Sequence, residues 1–191
     1  MLRILAVFVL MMYSTSFEVV PSLPKSSHLV YSFATVNGGG SRNTMNYNIV
    51  TYAHQMSIKP ASWAVSLYKG TKSHMNLLES EHGVGILQIL PSDFNLDAIA
   101  LLGKRSGFDV DKTAELDSLG VEREDIKVEG IDRPISIFKN CMSFAVMMVD
   151  RNQPVIDLGD HDMVIMTPRQ YFSGHPGSPL TTQYLRDRGV I

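Results

Sequence analysis

The chain has one cysteine among 191 residues, and that scarcity removes two ways of holding a fold together. A lone thiol, Cys141, cannot close an internal disulfide, and it cannot supply the two to four thiolates of a structural zinc site. An excess of one charge is missing as well. With 17 Lys and Arg against 19 Asp and Glu, the formal net charge is -2. No basic field exists to hold a phosphodiester backbone by counterion release, which argues against nucleic acid as a partner. The apolar run at residues 4–13 is shorter than the roughly 20 residues that span a bilayer. What is present is ordinary: 45% hydrophobic and 19% charged residues, a composition that excludes intrinsic disorder. The length fits one domain of about 100–200 residues. Eleven methionines read as core filling or as a soft binding surface.

Residues 1–27 read as a segment apart from the fold. Met1, Leu2 and Arg3 give a basic start, residues 4–13 an apolar middle, and Ser14, Thr15 and Ser16 a small-residue exit before Phe17. That is the layout of a secretory signal peptide. A buried first strand is the alternative for the same run. The acid-poor, Pro- and Ser-rich residues 21–27 then read as a linker or a second targeting stretch. The two together resemble the bipartite presequence of proteins sent to algal plastids, with ordinary secretion as the other destination.

From residue 28 onward the pattern is mainly β with inserted helices. Residues 29–37 are rich in Val, Tyr, Phe and Thr, and the run Gly38-Gly39-Gly40-Ser41 that follows predicts a hairpin into a strand at 43–52. Further strands are expected at 63–68, 83–90, 134–138, 141–149 and 163–166, with Asp150-Arg151-Asn152-Gln153 as a turn. Helices are expected from a cap at Thr71 or Ser73 to Glu79, and from Asp93 or Ser92 to a stop at Gly103. A short third helix is expected at 112–119. Helices too few for regular βαβ alternation point to an antiparallel barrel. No internal repeat is visible.

The common catalytic motifs fail. The triple glycine lacks the Gly-Lys-Ser/Thr ending of a phosphate loop, and no Gly-x-Gly-x-x-Gly opens a helix. Gly103-Lys104-Arg105-Ser106 only looks like a phosphate loop, because Ala98 stands where its first glycine belongs and Arg105 intervenes. No Gly-x-Ser-x-Gly elbow occurs, and Cys141 reads as a small buried residue of a hydrophobic strand. The six histidines are scattered. Asp160, His161 and Asp162 are neighbours, but successive strand residues point to opposite faces and cannot converge on one ion. A turn entering a strand is the simpler reading of these aspartates.

Four blocks remain, in order. They are Asn46-Tyr47-Asn48-Ile49-Val50-Thr51-Tyr52 followed by Met56-Ser57 and Pro60; Trp63 to Leu67 with Thr71 after it; Gly103-Lys104-Arg105-Ser106-Gly107-Phe108-Asp109-Val110-Asp111-Lys112; and Gly159-Asp160-His161-Asp162. Together, over residues 28–191, they resemble the flavin reductase-like, FMN-binding split-barrel proteins. Lys59 stands in place of that family's first proline, and Thr51-Tyr52 in place of its Ser-Trp pair.

The resemblance implies an antiparallel, Greek-key split β-barrel that binds FMN and takes NAD(P)H as electron donor. Hydride would pass from nicotinamide C4 to flavin N5 without a protein acid or base, so no side chain is assigned as catalytic, with His161 as the one candidate if any takes part. Electrons would go on to free flavin, an oxygenase or another acceptor, and the chain would be a homodimer with the flavin near the subunit boundary. Asn46, Asn48, Thr51, Tyr52 and Thr71 carry over as polar contacts to the cofactor. Lys104 is the expected phosphate cation, with Lys72 as the alternative. Ser106 and Lys112 belong to a loop beside the flavin, as contacts or as caps, and His161 lies near the ring or is a structural imidazole. A flavin carrier without turnover and a cofactor-free interaction barrel are the alternative readings.

Overall fold

The computed structural model describes residues 26–36 and 45–191. The expected targeting segment, up to residue 25, and the glycine turn at 38–41 lie outside the described residues. In chain order the elements are β1 (Tyr31–Val36), β2 (Met45–Val50), β3 (Ala53–Ile58), β4 (Ala61–Tyr68), α1 (Lys72–Glu79), β5 (Val84–Ile89), α2 (Leu96–Lys104) and α3 (Lys112–Ser118). They continue with β6 (Arg123–Ile126), β7 (Ile135–Phe138), β8 (Ser143–Val149), β9 (Ile156–Asp157), β10 (His161–Ser173) and α4 (Thr182–Asp187).

The main sheet is antiparallel in the order β2-β1-β5-β8-β10-β4-β3, with β9 added to β10. Its two outermost strands, β2 and β3, are joined only by Thr51 and Tyr52. A two-residue link spans roughly 7 Å, so the sheet can have this order only by curling until its edges meet. At the seam the Ser66 N–H donates to the Tyr52 carbonyl at 2.9 Å. The connection β4–α1–β5 carries the chain from one part of the sheet to another, the long step of a Greek key.

Burial follows the period of two that a strand imposes. Phe33, Leu87, Met147 and Val164 point into the barrel, while Ala34, Ile86 and Val146 point outward against α2, the β6–β7 hairpin and the C-terminal segment. Both faces are covered, which is why β1 is buried throughout, its two polar residues Ser32 and Thr35 included. Gly85 makes the interior packable, since a Cβ there would lie 2.4 Å from the Phe33 ring. Full burial of side chains such as Phe33 and Leu77 contributes about 1.5–3 kcal/mol each. Leu77 comes from α1, whose C-terminal end is tied down by Arg151, donating to the carbonyls of Leu77, Leu78 and Ser80. Those carbonyls are the acceptors a helix C-terminus leaves unpaired.

Several expectations are corrected. β3 was not anticipated, because its His54, Gln55 and Met56 are exposed on a sheet edge and show no alternation. β6 has the charged sequence Arg-Glu-Asp-Ile, lies outside every expected strand, and is a strand through its pairing with β7. α4 was missed, and β10 is far longer than 163–166. The cap of α2 is Asn95, which accepts from the Asp97 and Ala98 N–H groups, in place of Ser92 or Asp93. Gly103 does not stop that helix, which runs to Lys104. Cys141 lies in the turn between β7 and β8 and not in a strand; it is buried, and burial pushes its thiol up to about 11.

Candidate functional site

The first turn of α1 packs across the start of β2. Thr71 caps the helix, its Oγ1 accepting from the His74 N–H at 3.3 Å and donating to the Tyr68 carbonyl at 2.9 Å. Asn46, buried on β2, donates from Nδ2 to Ser73 Oγ at 2.7 Å. Its Oδ1 faces the loop after α2. A Cβ at Gly107 would lie 2.1 Å from that oxygen, so only glycine lets the loop come this close. A cleft of about 270 Å³ opens here, between Met45, Asn46 and Lys72 on one side and residues 107–112 on the other. Lys112 closes the loop: it is buried, and its Nζ donates to the Leu102 carbonyl at 2.9 Å. Burial holds its ammonium down to about 8. Two residues along β2 from Asn46, the Oδ1 of Asn48 is buried and accepts no hydrogen bond. An orphaned buried acceptor costs about 1–3 kcal/mol, so this one calls for a donor.

A group of rings stands where β4 and β10 meet the link between β2 and β3. His161 opens β10 opposite Tyr68 of β4, and its imidazole meets Tyr68 and Tyr52 edge-on at centroid distances of 5.2 and 5.9 Å. Tyr52 and Tyr68 are both more than half exposed, which leaves ring surface open to a flat ligand. His161 Nδ1 lies 2.8 Å from Asp160 Oδ1, and that hydrogen bond holds the Asp160 carboxyl below the usual carboxylate range. The next aspartate faces elsewhere. Asp162 lies 2.7 Å from His74 Nε2 and 3.4 Å from Lys69 Nζ, and Lys69 also reaches Asp157 at 2.6 Å. Asp162 is therefore a tie between α1 and β10 rather than the simple turn residue expected. Lys69 is raised above its ordinary value, first by its hydrogen bond with Asp157.

The predicted residues divide. Asn46, Asn48 and Thr71 surround the contact between β2 and α1, while Thr51 and Tyr52 form the seam with Tyr52 against His161. Lys72 lines the cleft, and Lys104 is exposed in the last turn of α2 outside its lining. Ser106 is a turn former whose Oγ accepts from the Phe108 N–H. Tyr68, His74 and Lys69 were not anticipated. Their role depends on the register of β4 against β10, which a single sequence does not display.

No family model matches the sequence, and no curated protein matches it. Solved structures do. An FMN-binding protein of Thermus thermophilus with bound 1-cyclohex-2-enone superposes with a TM-score of 0.61 at 16% identity, covering 83% of this chain and 79% of that one. The fold is the flavin reductase-like split barrel. A flavoredoxin of Methanosarcina acetivorans shares this split barrel at a TM-score of 0.64 and 13% identity, over 86% of this chain and 80% of its own. The flavin reductase HpaC, solved with NADP+, matches at 0.59 and 12% identity, over 82% and 86%.

FMN carries an anionic phosphate, a polar ribityl chain and a flat ring, and the residues present in the split barrel fit all three. The first turn of α1 holds no acidic residue and offers Thr71 and Lys72 to an anion. Asp109 and Asp111 lie across the cleft, but Asp111 is turned away to cap α3 through the Thr113 and Ala114 N–H groups. Asn48 supplies an acceptor in want of a donor, and the open faces of Tyr52 and Tyr68 suit a ring.

Proposed function

We propose that this chain is an FMN-dependent oxidoreductase that takes electrons from NAD(P)H. The observations that carry the reading are the cleft lined by Lys72 at the start of α1, the orphaned Asn48 acceptor two residues along β2 from its Asn46 wall, and the open Tyr52–His161–Tyr68 rings, whose Tyr68 carbonyl accepts from Thr71. Lys72 and the N-terminus of α1 would hold the phosphate, while Asn46 fixes the loop that forms the far wall. Tyr52, Tyr68 and His161 would orient the ring at the seam. Bound FMN would supply acceptance of hydride at N5. No side chain has to gain or lose a proton for that step, so turnover should vary little with pH near neutrality. The NADP+ bound by HpaC and the resemblance of the four sequence blocks support a nicotinamide donor.

The exposed Tyr52 and Tyr68, with Ile156 and Leu158 nearby on β9 and its turn, favour a homodimer with this face as its interface. A separate oxygenase is the acceptor class we favour. The test is a visible spectrum of the purified chain with FMN, followed by an NAD(P)H oxidation assay. Flavin bands retained through gel filtration together with steady oxidation support the reading. A protein that stays colourless with added FMN refutes it, and bound flavin without oxidation leaves a carrier in its place.

A further inference from the structure

Away from α1, the barrel interior opens at its other end. β1 begins at Tyr31 and meets α1 four residues later, where Asn76 donates to Thr35 Oγ1 at 3.2 Å. β4 passes Trp63 five residues before Tyr68, about 17 Å along a strand. Between these strand ends and those of β5, β8 and β10 lies a pocket of about 370 Å³. Leu87 and Tyr31 line its inner part, and Trp63, Tyr171, Phe144 and Phe172 its sides. The sides are braced. Trp63 Nε1–H donates to the Tyr171 hydroxyl at 3.2 Å, and Phe144 stacks on Phe172 with ring centroids 4.4 Å apart.

Two properties set this pocket apart from an ordinary gap in packing. First, among the described residues no Lys, Arg, His, Asp or Glu lines it, so an ion would lose its hydration there without a partner from them. Second, Tyr31 is only 7% exposed, and its hydroxyl makes no hydrogen bond to another described residue while keeping contact with solvent. Burial raises its phenol above the ordinary value, and no hydrogen bond opposes that shift. Among the described residues the hydroxyl has no acceptor; it keeps solvent access and borders the pocket, where it is free to donate to water or to a ligand.

We propose that this pocket is a second ligand site, taking a neutral, planar aromatic molecule whose oxygen accepts the Tyr31 hydroxyl. Its volume is in the range of small-molecule sites, and the mouth of a β-barrel is one of the places where such sites occur. The flat walls select rings, and the absence of charge selects against anions and cations. The proposal does not depend on flavin.

Coumarin, a neutral two-ring lactone, is the probe. It is titrated calorimetrically into the purified full chain without flavin, while the emission of Trp63, the single tryptophan, reports the location. Saturable binding with quenching of Trp63 is expected. Tyr31→Phe should weaken it about five- to tenfold, the loss of one hydrogen bond. Ser173→Phe, a change at an exposed rim position, should block entry while the fold and FMN binding persist. Coumarin-3-carboxylate should bind at least tenfold more weakly than coumarin. No saturable binding, affinity indifferent to both substitutions, or equal affinity for the carboxylate would overturn the proposal. Because FMN titration of the same variants is a separate readout, failure here is distinguishable from failure of the flavin reading.

Discussion

The two ends of the barrel are made from the same strands and have opposite chemistry. At the α1 end, β1, β2, β4 and β10 present Thr35, Asn46, Tyr68 and His161, and the helix adds Thr71 and Lys72. At the other end β1, β4 and β10 present Tyr31, Trp63 and Tyr171, with no charge in the pocket. The difference shows what the fold holds constant and what it leaves free. Interior residues such as Phe33 and Met147 serve both ends, whereas the strand termini are released from packing and can specialise. The α1 end leaves a buried acceptor unpaired at Asn48, a loss in stability that a ligand donor would offset.

Breaking the shared interior should abolish the contrast and gives the largest effect. Phe33→Ala removes the fully buried ring over Gly85 and should cost about 3–5 kcal/mol in urea unfolding, with both ends lost together. Next comes Gly107→Ala, which drives a methyl against Asn46 Oδ1. About 1–3 kcal/mol of overpacking is expected, with at least a tenfold loss of FMN affinity and no change in coumarin binding. Lys72→Ala should weaken FMN about tenfold by fluorescence titration and leave the unfolding midpoint nearly unchanged.

A pH series sharpens the same comparison. Lys112 titrates at about 8 in the folded chain against an ordinary 10.5. Between those values the unfolded chain binds the extra proton, so stability due to this residue rises with pH. The burial penalty is fully present below about pH 8 and gone above about pH 10.5. Wild type should therefore gain on Lys112→Met across that window in urea unfolding, a difference that removes the opposite drift from the raised Cys141 and Tyr groups. A flat difference would contradict the burial of a charged Lys112. The smallest effect is expected at Lys104→Ala, which lies outside the cleft and should leave FMN affinity unaltered.

Much of the fold was legible because its strands are buried on one or both faces. β1, β5 and β8 are buried and mostly apolar, with Ser32, Thr35 and Gln88 as the buried polar exceptions, and over the described residues their expected positions agree with the structure to within two residues. β3 and β6 were not legible because their residues are exposed, and only the partner strand makes them strands. The site was legible in part. The four sequence blocks contain Asn46, Asn48, Thr51, Tyr52 and His161; the register of β4 and β10 sets His161 opposite Tyr68, and Tyr52 meets the same imidazole from the link between β2 and β3. Which of the two expected cations, Lys72 or Lys104, borders the cleft was not legible, since both sit beside candidate loops in sequence. Only the packing of α1 across β2 separates them. Asp162, expected to be a plain turn residue, owes its role to Lys69 and His74, some 90 residues earlier.

The most direct test of the flavin reading is equilibrium titration of FMN into the purified chain, followed by quenching of flavin fluorescence, in wild type and in Lys72→Ala, Tyr31→Phe and Lys104→Ala. The polar end predicts saturable binding in wild type, about tenfold weaker binding in Lys72→Ala, and wild-type affinity in the other two. No saturable binding in wild type, or equal affinity in Lys72→Ala, would contradict the placement of the cofactor at the α1 end.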